Sequence, residues 1–72
     1  MERIIVVVKD SHISQINEVS KQAENLGMKV SAIYPMTGIL VGFATKEVVG
    51  WIKDMDSITG VELDSLVMAT RG

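Results

Sequence analysis

The chain has 72 residues, no cysteine and a formal net charge of −2, with 47% hydrophobic and 22% charged residues. That length implies one small domain whose core supplies only a few kcal/mol. Disulfides and thiolate metal sites are excluded, and the scattered lysines and arginines lack the concentrated basic face that nucleic acid requires.

The first element expected is a strand, residues 2–9, β-branched and apolar throughout. Asp10 and Ser11 follow as a turn able to cap a helix. From His12 the period changes: Ile13, Ile16, Val19, Ala23 and Leu26 recur at helical spacing and predict one buried face. Gly27 stands where a helix C-terminal glycine belongs. Met28 to Tyr34 alternates and predicts a second strand, with Met28, Val30, Ala32 and Tyr34 on one side. Pro35 blocks its continuation and Gly38 lets the chain turn back into a third strand, Ile39 to Ala44.

Thr45 is the expected N-cap of a second helix, whose stripe is Val48, Ile52 and Met55, with Val49 and Trp51 on its flanks. Gly50 inside this helix costs roughly 1 kcal/mol relative to alanine, and close approach of helix to sheet is the expected reason for it. Asp56-Ser57 ends the helix, Gly60 is a turn, and Val61 to Ala69 is the last strand.

The order βαββαβ predicts a single α+β domain over residues 1–72, the ferredoxin-like sandwich. It has a four-stranded antiparallel sheet, order 4-1-3-2, with both helices on one face. The first and third strands are then central, and both are apolar on both faces. Either Ile4, Val6 and Val8 or Ile5 and Val7 must therefore face away from the helices. In the third strand the bulk of Phe43 argues for an inward position, which turns Leu40 and Gly42 to the open face. In the last strand Glu62 and Asp64 alternate with Val61 and Leu63. Burying an unpaired carboxylate costs several kcal/mol, so both acids belong on the open face. A flat aliphatic patch beside two acids marks an interaction surface.

Enzyme chemistry is not expected. Asp10, Ser11 and His12 are consecutive and cannot form a triad, which needs groups brought from different parts of a fold. His12 is expected to face solvent. The scattered glycines make no phosphate loop. No cofactor and no metal are expected. Met28, Met36 and Met55 are read as gap-fillers, with Met68 set apart by its place before the tail. The N-terminal apolar run is too short for a signal sequence, and no run reaches the length of a membrane span. A cytoplasmic location is the expectation.

The segment "GFATKEVVGWIKDMDSITGVELDSLVMA" resembles the propeptides of subtilisin-like serine proteases and their free-standing inhibitor relatives. The corresponding residues are Gly42, Phe43 and Ala44, then Ser57-Ile58, then Val61-Glu62-Leu63-Asp64; from Thr45 to Asp64 the match needs no gap. The resemblance implies a bare sheet face laid on two surface helices of a protease, with Glu62 and Asp64 capping helix N-termini. It also implies that Leu66 to Thr70, including Met68 and Ala69, enters the active-site cleft as an extended strand. Leu63 stands where another acid is common, and Arg71-Gly72 overruns the position of cleavage. No protease follows in this sequence, so the implied role is an inhibitor or folding assistant acting in trans. The alternative is a self-associating regulatory or ligand-sensing module, a homodimer through the open sheet face. "KDSHIS" after the first strand lacks the glycine that a ligand-sensing turn wants.

Overall fold

The computed structural model describes residues 1–63. The elements run β1 (Glu2–Val8), a 3-10 helix (Asp10–Gln15), α1 (Ile16–Leu26), β2 (Lys29–Tyr34), β3 (Ile39–Ala44), α2 (Lys46–Lys53) and β4 (Ile58–Leu63). The strands form one four-stranded antiparallel sheet in the order β2-β3-β1-β4, the expected 4-1-3-2 read from its other edge. This is the ferredoxin-like arrangement.

The helix boundaries follow from local chemistry. The segment after Lys9 starts as a 3-10 turn rather than as α-helix, and α1 proper begins at Ile16. Gly27 ends α1 in the left-handed region at φ 119°. The Gly27 N–H donates to Glu24 O at 3.0 Å, and the Met28 N–H reaches back to Ala23 O at 3.1 Å. That pairing satisfies carbonyls the helix would otherwise leave open. A Cβ at Gly27 would also stand 2.9 Å from Val48 Cγ2, so the end of α1 and the first turn of α2 are in close contact. Thr45 caps α2 as expected, its Oγ1 accepting from the Val48 N–H at 3.3 Å. The helix stops at Lys53, before the Asp56-Ser57 pair expected to end it.

Ile4, Val6 and Val8 face the helices and are buried. With Leu40, Ala44, Ile16, Val19, Ala23, Met28, Val48, Ile52 and Ile58 they form the core. Ile13, Leu26, Val49, Met55 and Val61 pack partly against it. No buried side-chain N or O among the described residues lacks a hydrogen-bond partner.

Several local expectations are corrected. Phe43 does not point inward: it is 39% exposed, whereas Leu40 is fully buried and Gly42 is buried with it. The cause is crowding on the helix side of β3. A Cβ at Gly42 would collide with the backbone carbonyl of Lys29 and stand 3.0 Å from Met28 Cε. Ala44, just before the α2 cap, is also fully buried. A side chain does not fit at 42, and buried Ala44 shares that face, so Phe43 between them lies on the opposite one.

β2 does not alternate regularly. Its register against β3 skips Ser31, pairing Val30 with Gly42 and Ala32 with Val41. This bulge puts Val30 and Ile33 on the helix side, with Ala32 and Tyr34 on the other. Gly60 is not a turn but lies within β4, paired with Val7. Gly50 does not serve close packing: it is exposed, and a Cβ there would meet nothing within 4 Å. Met36 is 94% exposed at the tip of the β2–β3 hairpin and fills no gap.

Candidate docking face

Strand register builds the open face row by row. At one end Lys29, Phe43 and Arg3 lie side by side on β2, β3 and β1. The middle row is Ala32, Val41, Ile5 and Glu62, running from β2 to β4. The last row is Tyr34, Ile39, Val7 and Gly60. Neither helix covers these rows. Ile5, Val7, Ala32, Ile39 and Val41 are half-buried by their neighbours, while Tyr34 is 51% exposed.

The face is therefore an aliphatic centre with an aromatic residue at each end. Its charges sit at the rim: Lys29 on the β2 edge, Arg3 beside Phe43, and Glu62 on the β4 edge. Glu62 is exposed on the side opposite the helices, as its alternation with Val61 requires. Its partner acid Asp64, together with Leu66, Met68, Ala69 and Thr70, lies outside the described residues. Of the remaining expected contact residues, Leu40 and Gly42 are on the covered face and leave the site.

Lys29, Tyr34, Phe43, Val41, Ile39 and Gly60 join this face unanticipated. Part of the signal was legible. Small residues at 42 and 44 flank Phe43, and small residues belong under a helix that starts at the next position. The Ser31 bulge, which brings Tyr34 to the open side, has no comparable mark in the sequence.

Elsewhere the chemistry is sparse. Ser11 Oγ and His12 Nδ1 are 2.9 Å apart, a solvent-exposed contact between adjacent residues on a helical turn, and His12 as a whole is partly buried. Trp51 is 53% exposed on α2, more open than the flank position expected of it. A shallow groove between α2 and the β1–β4 side is lined by Glu2, Lys46, Val49, Lys53, Val61 and Leu63. Leu63 is 55% exposed there. Among the described residues no group of three or more His, Cys, Asp or Glu side chains could hold a metal ion. No described helix is long and apolar enough to cross a membrane.

No family model matches this chain, and neither a curated protein nor a solved structure matches it.

Proposed function

We propose that this chain is a binding module for subtilisin-like serine proteases, an inhibitor or folding assistant of the propeptide type. The observation that carries the reading is the uncovered sheet face, aliphatic at its centre, with Glu62 exposed on the same side. An apolar face of this kind docks on the surface of packed helices. An exposed carboxylate at its edge accepts hydrogen bonds from the free N–H groups of a helix N-terminus, where the dipole also favours negative charge. The gap-free resemblance from Thr45 to Asp64 names the protease class. On this reading Val41, Ile5 and Phe43 supply the apolar contact, Glu62 and Asp64 supply the caps, and residues 66–70 enter the cleft. Leu40 and Gly42 support the fold beneath.

The test is inhibition of several subtilisins by the full chain at micromolar concentration, with refolding of a denatured subtilisin as a second readout. Slow, tight inhibition or faster refolding is expected. Truncation after Leu66 is expected to abolish inhibition and leave the fold intact. Failure of the full chain in both assays overturns the reading.

A further inference from the structure

Gly60 adjoins the bulge at Thr59, the kind of place where a strand glycine is common. Its backbone does not demand glycine: its φ lies outside the positive range, and a Cβ there would meet nothing within 4 Å. The monomer has room for a side chain at this position and carries none. The result is a recess on the open face at the β4 edge. In the same row, at the β2 edge, Tyr34 stands 51% exposed. A recess at one edge and a projecting ring at the other, in a single row, form a self-complementary pair.

We infer that the open face packs on the open face of a second copy, about a two-fold axis parallel to the strands. Rotation about that axis lays the β2 edge of each copy over the β4 edge of the other, with rows in register. Tyr34 then covers the Gly60 recess, and Ile39 meets Val7. In the middle row Val41 meets Ile5. At the end row Phe43 lies against Arg3, a cation beside an aromatic face. Lys29 comes to the β4 edge one residue pair, about 7 Å, along the strand from Glu62. Two facing sheets are about 10 Å apart, so these long side chains span the gap. Each contact occurs twice, as a two-fold interface demands.

The other two-fold packing, with its axis across the strands, is disfavoured by the same residues. It lays each strand over its own copy with the rows reversed. Glu62 then faces Glu62, and the Gly60 recess receives nothing from Tyr34. Like charges opposed at an interface disfavour association.

The area sets the strength. Four strands about 4.8 Å apart and rows about 7 Å apart give a footprint near 20 Å on a side. That is below the roughly 800 Å² per partner of a standard stable interface. The pair is therefore a concentration-dependent dimer with a dissociation constant in the micromolar range or weaker. The inference does not depend on the protease reading. If both hold, the two associations use one face and exclude each other, so the dimer is a reserve form that dilution releases.

Sedimentation velocity of the full chain from about 5 µM to about 1 mM tests this. The wild type is expected to pass from monomer to dimer with no larger species. Lys29→Glu and Glu62→Lys should each weaken the dimer by about tenfold or more, and the double exchange should restore it. Gly60→Val should abolish the dimer while its thermal midpoint holds or rises, since the strand gains a side chain in open space. A wild type that stays monomeric throughout overturns the inference. So does a dimer indifferent to Gly60→Val and to the charge exchange, because it would use another surface. Should Gly60→Val fold poorly, the loss and recovery across the charge exchange decides alone. No protease enters these measurements, so their failure leaves the proposed function standing, and failed inhibition leaves the dimer standing.

Discussion

The backbone carbonyl of Lys29 fills the space that a side chain at Gly42 would occupy. This contact ties β2 to β3 on the covered side of the sheet and places Phe43, the next residue, on the open side. Gly42→Ala forces backbone against backbone and is expected to cost about 1–3 kcal/mol, in the range of overpacked cores. Urea unfolding measures it. A change below about 0.5 kcal/mol would show that β2 moves away from β3 without penalty.

Leu40 and Phe43 give opposite results on truncation. Leu40→Ala opens a cavity among fully buried residues and is expected to cost about 2–5 kcal/mol. Phe43→Ala loses a half-exposed cross-strand neighbour and should cost about 1 kcal/mol. Binding should rank the other way: at matched folded fraction, Phe43→Ala weakens protease inhibition and Leu40→Ala does not. Equal stability losses would mean that β3 is turned over.

Gly50→Ala should stabilise the protein by about 0.5–1 kcal/mol, because the position is exposed, helical and unobstructed. A shift of the thermal midpoint upward by a few degrees is the readout. A downward shift would mean that the glycine serves a contact made only with a partner.

Glu62→Ala should leave stability within about 0.5 kcal/mol, as an exposed surface residue. Its effect belongs to binding: inhibition should weaken, and more at low salt than at high, since exposed electrostatic contacts are screened. A loss of stability above about 2 kcal/mol would make Glu62 a structural residue.

The order of the elements and of the strands in the sheet was legible in the sequence, the start of β4 and the orientation of the side chains only in part. Helical spacing from Ile13 to Leu26, the cap residue Thr45 and the terminal Gly27 each reflect local physics, and local physics is readable along the chain. The faces of β1 were not readable, because Ile4 to Val8 is apolar at every position and burial alone separates the two sets. The bulk of Phe43 argues for an inward position, and the crowding at its neighbour Gly42 outweighs it. The room beside Gly42 is set by β2 and Met28, which are distant in sequence. The Ser31 bulge has the same character: it is a relation between two strands, and no window on one of them displays it. The side of Glu62 is legible because the cost of burying a carboxylate is large enough to fix its face of β4 whatever the neighbours do.

Both outer strands of the sheet are interrupted. β2 carries its extra residue at Ser31, and β4 skips Thr59 where its register against β1 shifts. An unbroken outer strand offers an evenly spaced ladder of free N–H and C=O groups onto which another chain can zip, and repeated zipping makes fibres. Here that ladder loses its spacing on each side. The protein can hold an apolar sheet face in water with little open-ended growth along its edges. A face that meets its own copy about a two-fold axis is used up by the meeting, and no equivalent face is left for a third. The dimer inferred above would therefore be self-limiting rather than the first step of a polymer.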